Sequence, residues 1–189
     1  MTWEELEIPG VYLVTPNVHH DSRGFFFESF KESALESQTA ETFEIAQMNT
    51  SFSVKNTVRG IHFTNSSIGQ AKYVSCTQGE IIDVVLDIRV GSPTFGQHIS
   101  VALSEENQQS LFIPKDLGHA FWVTSDDARV TYLCSSEYDA KNDKSINPMD
   151  DSLSLPWSGS PDLVVSEKDL AAPTLKEAQV RNILPIFPS

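Results

Sequence analysis

The sequence predicts an all-β fold, an antiparallel sandwich or barrel, with short helices near its C-terminus. Three observations predict it. Short segments rich in β-branched and aromatic residues recur up to about residue 135. Turn formers punctuate them at close intervals. Helical patterning is confined to 31–38, 166–172 and 174–182.

The elements follow in order. Val11-Tyr12-Leu13-Val14 reads as a strand closed by Pro16-Asn17, and Gly24 to Phe30 reads as a second. Lys31 to Gln38 reads as one short helix. Strands are then expected over Thr57 to Phe63, Ala71 to Thr77, Glu80 to Ile88, His98 to Leu103, Ser110 to Ile113, His119 to Thr124 and Arg129 to Ser135. The turns between them fall at Asn65-Ser66-Ser67, Gln78-Gly79, Gly91-Ser92-Pro93, Ser104-Glu105-Glu106-Asn107, Pro114-Lys115-Asp116 and Ser125-Asp126-Asp127. After Tyr138 the pattern loosens into Asn, Asp, Ser and Pro, with the two C-terminal helices expected on the outside of the barrel. No linker divides the chain, so 1–189 reads as one domain with a peripheral segment from about 140 to 189.

Composition narrows the function. A net charge of −13, from 26 acids against 13 bases, repels a phosphate backbone and argues against nucleic-acid binding. No apolar run approaches the roughly 20 residues of a membrane span. The acidic N-terminus lacks the basic-then-apolar order of a signal peptide, so a cytoplasmic protein is expected. Cys76 and Cys134 lie in apolar strand segments and read as buried, reduced thiols. No Cys/His spacing resembles a zinc site.

Several side chains stand out as candidates for chemistry. His62 lies in Arg59-Gly60-Ile61-His62-Phe63. Strand alternation puts Arg59, Ile61 and Phe63 on one face and Gly60 and His62 on the other, and Gly60 leaves open space beside the imidazole. Spacing alone favours an ordinary hydrogen-bonded strand histidine. His119, which opens an apolar strand, is core or site. Tyr132 and Tyr138 share a face if their strand stays regular, and each alone reads as a packing residue with a wet tip. Ser166-Glu167-Lys168-Asp169 has the form of a helix N-cap, and capping is a sufficient local reason for Asp169.

Taken together, the motifs resemble the 3,5-epimerases of nucleotide-linked 4-keto-6-deoxyhexoses, the family headed by dTDP-4-dehydrorhamnose 3,5-epimerase. The resemblance runs from about Gly10 to Pro173. It rests on Asp21-Ser22-Arg23-Gly24-Phe25-Phe26-Phe27-Glu28-Ser29, Gln47-Met48-Asn49-Thr50-Ser51, Val58-Arg59-Gly60-Ile61-His62-Phe63 and Gln70-Ala71-Lys72-Tyr73-Val74. It continues through Asp83 to Arg89, Gly91 to Gly96, Ile113-Pro114, Gly118-His119-Ala120-Phe121 and Ser166 to Asp169. Each is weak alone; the ordered set is specific.

The resemblance implies a cupin-type jelly roll acting as a homodimer on a dTDP-4-keto-6-deoxyhexose, with no metal and no cofactor. It implies His62 as base, held by Asp169, Tyr132 as acid, and Arg59 and Lys72 beside the ketone. It implies sugar-nucleotide contacts from Arg23, Glu28, Gln47, Asn49, His119, Asp143 and Lys168, with Tyr138 stacked on the nucleobase. Met48 and Thr50 stand where many family members carry an acid and a histidine. Ile61 replaces the commoner Leu, a spelling also found in relatives that invert one carbon.

The residue types suit the reaction. A C–H beside a ketone is acidic because the enolate spreads charge onto oxygen. Histidine, with an ordinary pKa of about 6.5, is a free base near neutrality. A carboxylate on its other nitrogen fixes the tautomer. A donor placed where negative charge develops is worth roughly 3–4 kcal/mol. Tyrosine, at about pKa 10, keeps its proton until a carbanion needs it. Alternative readings are a single-carbon 3- or 5-epimerase, a metal-dependent cupin, which needs clustered histidines with a carboxylate, and a sugar-nucleotide-binding module without catalysis.

Overall fold

Period-2 alternation sorts the strand residues onto faces, and those faces explain how the sheets stack. The structure, a computed structural model, describes residues 1–39, 41–65, 67 and 69–187. The strands are β1 (Thr2–Glu5), β2 (Tyr12–Thr15), β3 (His19–Asp21), β4 (Gly24–Phe26), β5 (Gln47–Val54), β6 (Val58–Thr64) and β7 (Lys72–Gln78). They continue as β8 (Glu80–Leu86), β9 (His98–Ser104), β10 (Ser110–Ile113), β11 (Gly118–Val123), β12 (Asp127–Cys134) and β13 (Asp143–Ser145). A six-stranded antiparallel sheet in the order β1-β2-β10-β7-β12-β5 faces a five-stranded one in the order β13-β6-β11-β8-β9, and β3-β4 forms a separate hairpin. This is the jelly-roll arrangement the motifs imply.

The core lies between the sheets. Val74, Cys76, Leu111, Ile113 and Val130 of one sheet meet Ile81, Val85, Leu103, Phe121 and Val123 of the other. The residues between them in sequence point outward and are covered differently. On the five-stranded sheet, Val58, Ile61, Phe63, Val84 and Leu86 pack under Ile146, Leu153, Leu155, Trp157, Leu175 and Ala178. These residues of the C-terminal segment therefore lie on the outer face of the five-stranded sheet. Trp157 is fully buried there and donates its indole N–H to the Pro148 carbonyl at 2.8 Å. On the six-stranded sheet, Val14, Tyr73 and Phe112 pack under Phe43 and Leu35 of helix α1 (Glu32–Thr39).

The C-terminal helices start where capping chemistry places them. Ser166 caps α2 (Glu167–Leu170), its hydroxyl accepting the Asp169 N–H at 3.1 Å. Thr174 and Glu177 form a reciprocal capping box at the start of α3 (Leu175–Val180).

Some expectations differ. Only Gly24–Phe26 of the segment to Phe30 is a strand; Phe30 turns away to pack edge-on against Tyr73, ring centroids 5.2 Å apart. Strands β1, β3, β5 and β13 carry too few apolar residues facing a core to be read as strands. The turn at Asn65-Ser66-Ser67 includes Ser66, which lies outside the described residues. Both cysteines are buried and free. Among the described residues no helix is long and apolar enough to cross a membrane.

Candidate active site

Strand β6 carries the site, and its irregularity makes it. His62 pairs with His119 and Arg59 with Phe121, so Gly60 and Ile61 together oppose the single residue Ala120. That is a β-bulge, and it corrects the strict alternation expected here. The extra residue brings Arg59 and His62 onto the same face, where both line one cavity, while Val58, Ile61 and Phe63 remain on the outward face, under the C-terminal segment. The expectation of open space at Gly60 is also corrected. Its φ is +126°, and a Cβ there would run into the Ala120 backbone and the His119 carbonyl oxygen, each 2.6 Å away. Glycine is needed because β11 already occupies that space.

His62 is held from behind. Its Nε2 lies 2.8 Å from Asp169 Oδ1. A carboxylate only accepts, so Nε2 carries a hydrogen, and in the neutral ring, the form that can act as a base, the lone pair is on Nδ1. Asp169 is 4% exposed, and its N–H, not its carboxylate, takes part in the helix cap. Capping therefore explains the position of Asp169 but not its side chain. Burial pushes its carboxyl pKa up; the hydrogen bond and charge of His62, the Ser166 hydroxyl and the Gly60 amide outweigh that and hold it below its ordinary value.

The cavity in front of His62, about 140 Å³, is lined by Ser51, Arg59, His62, Lys72, His119, Phe121 and Tyr132. A second cavity of about 330 Å³, shaped by Thr57, Val164 to Ser166, Lys168 and Asp169, also reaches Arg59 and His62. Lys72 comes from β7 and is buried; burial pulls its ammonium pKa down, and Cys134, Asp143 and Asp83 oppose that. Tyr132 comes from β12. Burial and Cys134 push its phenol up, while Arg59 and Asn49 oppose them. His119, on β11, is buried with Nε2 2.8 Å from Asp83 Oδ2. His119 therefore lines the same cavity as His62, with a carboxylate of its own.

The other candidates lie further out. Gln47 and Asn49 point inward from β5, beside Tyr132. Lys168 pairs with Asp143 at 2.6 Å, and Lys168 lines the second cavity. Strand β12 ends at Cys134, so Tyr138 does not continue its face; it sits beyond the strand, 61% exposed. Arg23 pairs with Asp21 on the exposed hairpin, and Glu28 with Lys31, so neither faces the His62 cavity within this chain.

Sequence reasoning missed Asp83 and Ser51. The signal for Asp83 was an acid inside the apolar run Ile81 to Leu86, on the alternation that points inward. Ser51 continues the period-2 series of Gln47 and Asn49. Among the described residues, Ser51 Oγ and Asp83 Oδ1 are buried without a hydrogen-bond partner, and no three His, Cys, Asp or Glu side chains are grouped to hold a metal ion.

Comparison with known proteins finds sugar-nucleotide epimerases. The family model described as dTDP-4-dehydrorhamnose 3,5-epimerase matches residues 5–177. The dTDP-4-dehydrorhamnose 3,5-epimerase of Mycolicibacterium smegmatis is 42% identical over 187 residues, 99% of this chain and 92% of that protein. The Legionella pneumophila dTDP-6-deoxy-D-glucose-3,5-epimerase, solved in complex with dTDP-4-keto-L-rhamnose, is similar at a TM-score of 0.93 and 36% identity, covering 100% of this chain and 99% of that one. A 3′-monoepimerase from Streptomyces bikiniensis in complex with dTDP-quinovose is similar at 0.92 and 37%, covering 96% and 92%.

Proposed function

Because the chain belongs to the dTDP-4-dehydrorhamnose 3,5-epimerase family, we propose that its His62 cavity performs the two inversions, at C3 and C5 of dTDP-4-keto-6-deoxyglucose. The protein is an isomerase whose product is dTDP-4-keto-L-rhamnose. The observation that carries the assignment of residues is the convergence of a carboxylate-backed histidine, a buried lysine, an arginine and a tyrosine on one cavity.

His62 Nδ1 takes the proton from the carbon beside the ketone. The C–H electron pair moves into the C–C bond, and the carbonyl electrons move onto the C4 oxygen. Lys72 and Arg59 donate to that oxygen as its charge grows. The Tyr132 hydroxyl returns a proton to the opposite face, and solvent restores the tyrosine and removes the proton from His62. The sequence is redox-neutral and is complete with side chains and water. His119, oriented by Asp83, and the free hydroxyl of Ser51 hold the sugar. Lys168, Asp143, Gln47 and Asn49 line the approach of the nucleotide, and Tyr138 offers its exposed ring to the base.

The test is the reaction in heavy water. Deuterium enters the product at both C3 and C5, because each inversion replaces a substrate hydrogen with a solvent one. Label at one carbon only, at full conversion, moves the chain to the single-carbon branch that includes the Streptomyces 3′-monoepimerase.

Arg23 and Glu28 complete the site of a second copy. Arg23 lies in the β3–β4 turn and Glu28 just beyond β4, and this hairpin exposes Phe25 at 56% and Phe26 at 69%, more apolar surface than a solitary chain leaves uncovered without cause. A C2 dimer that exchanges this hairpin covers the rings and delivers the two charges to the neighbour's cavity. Light scattering is expected to give a dimer; a monomer that stays fully active on dilution overturns the exchange. Two buried, unpaired thiols fit a reducing compartment, and we place the enzyme in the cytoplasm.

A further inference from the structure

We propose that Asn147 is a positioning residue for proton removal: it clamps the C-terminal end of the helix that carries Asp169 and so holds that carboxylate against His62. The proposal rests on the reading of His62 and Asp169 as the base and its partner, and deepens it by naming what keeps the two in place.

Helix α2 cannot place Asp169 by itself. It is a single turn, Glu167–Leu170, far short of the roughly 12 residues at which an isolated helix becomes even marginally stable. It also lacks an apolar anchor. Asp169 is the buried residue of the four, and Leu170 is 48% exposed. Polar tethers therefore hold the turn from both ends. On the N-terminal side, the Val164 N–H donates to the Asn56 carbonyl at 2.9 Å, and the Val164 carbonyl accepts the Val58 N–H at 3.0 Å. This stitches the chain before α2 to the start of β6. On the C-terminal side, the Leu170 carbonyl has no acceptor role within so short a helix. Asn147 Nδ2 donates to it at 2.9 Å. The Asn147 backbone N–H donates to the Pro173 carbonyl, just past the helix, at 2.8 Å.

Asn147 can act as a clamp because it is itself fixed to the strand of the base. Ser145 lies opposite His62, and Ile146 exchanges two backbone hydrogen bonds with Ile61, at 2.9 and 3.2 Å. Asn147 is the next residue. Its Oδ1 accepts the Met149 N–H at 2.8 Å, which orients the amide so that Nδ2 faces Leu170. The adjoining Pro148 carbonyl accepts the indole N–H of the fully buried Trp157, so the turn rests on a rigid support. The contacts close a circuit. His62 and Asp169 touch directly, and they are joined a second time through β6, β13, Asn147 and α2. Opening the second path lets Asp169 drift from the imidazole, and small misplacements are costly at a reacting centre. Lys168, on the same helix, is less sensitive. Its long side chain reaches Asp143 at 2.6 Å and can follow a small backbone shift, whereas Asp169 has a single methylene. The loss therefore falls on kcat more than on KM.

The experiment asks whether Asn147 acts through Asp169. Asn147→Asp is isosteric. It keeps the acceptor for Met149 and the backbone bond to Pro173, loses the donor, and sets a carboxylate against the Leu170 carbonyl. Asn147→Ala loses the same donor without adding charge and carries the same predictions, so the test does not depend on one variant folding. Each is made in wild type and in Asp169→Asn, and kcat, KM and deuterium in recovered substrate are followed in heavy water. The clamp predicts kcat lower by roughly ten-fold in the single Asn147 variants, with KM changed by less than about two-fold. Exchange into substrate falls together with product, because proton removal is the step that suffers. In the Asp169→Asn background the same substitutions change kcat by less than about two-fold, since the carboxylate they act through is gone. A general loosening of the fold would instead lower kcat by one factor in both backgrounds. That equality overturns the clamp, as does wild-type kcat in the folded Asn147 variants, a loss confined to KM, or exchange that stays at the wild-type rate while product falls. Asp169→Asn alone tests the underlying reading. If it exchanges substrate hydrogen like wild type, the pairing with His62 is not part of the base and the clamp falls with it; if Asp169→Asn is impaired and the Asn147 variants are not, the clamp alone fails.

Discussion

His62→Ala is expected to fold and to lose turnover by roughly 10²–10⁴-fold, the usual contribution of a general base. The fold survives because strand β6 is anchored by the residues on its other face: Val58, Ile61 and Phe63 are buried and untouched by the change. The cost in stability falls on Asp169, which loses the partner 2.8 Å away but keeps its links to Ser166 and the Gly60 amide. A modest drop in melting temperature should therefore accompany the loss of activity. The decisive measurement is exchange of the substrate's hydrogens at C3 and C5 with solvent. Wild-type exchange in a folded His62→Ala protein would remove the histidine from the mechanism.

Tyr132→Phe is expected to lower product formation over a similar range, about 10²–10⁴-fold, with a different signature. Phenylalanine keeps the ring in its half-buried place against the core. It removes only the hydroxyl. His62, Lys72 and Arg59 remain, so the enolate still forms and returns to substrate by the face it left. Substrate recovered from heavy water should carry deuterium while inverted product is scarce. A variant that loses both activities equally would mean that Tyr132 holds the substrate and does not protonate it.

The strands that build the core were legible because both signals, apolar character and alternation, agree in them. Val74, Cys76 and Val130 alternate with outward residues as the rule requires. Strand β5 was not legible because its inward side lines the cavity. Gln47, Asn49, Ser51 and Ser53 face in, and Met48, Phe52 and Val54 face out, which inverts the usual pattern. His62, Lys72, Tyr132 and Asp169 were identified by motif and not by spacing. Nothing local distinguishes Asp169 from a capping residue, since its partner lies 107 positions away. The pairing of His119 with Asp83 was hidden for the same reason: it joins two strands whose neighbour relation only the sheet order reveals.

The bulge in β6 has a consequence for transplanting or pruning this scaffold. In a regular strand, side chains three positions apart fall on opposite faces. Arg59 and His62 cooperate only because one surplus residue sits between their partners on β11. Deleting that residue would leave every functional letter of the motif in place and still send one of the pair into the hydrophobic layer under Trp157. Chain length within this strand is therefore as much a determinant of activity as the identity of the base. A jelly roll with uninterrupted pairing cannot acquire the site by point substitution alone; it must first gain a residue.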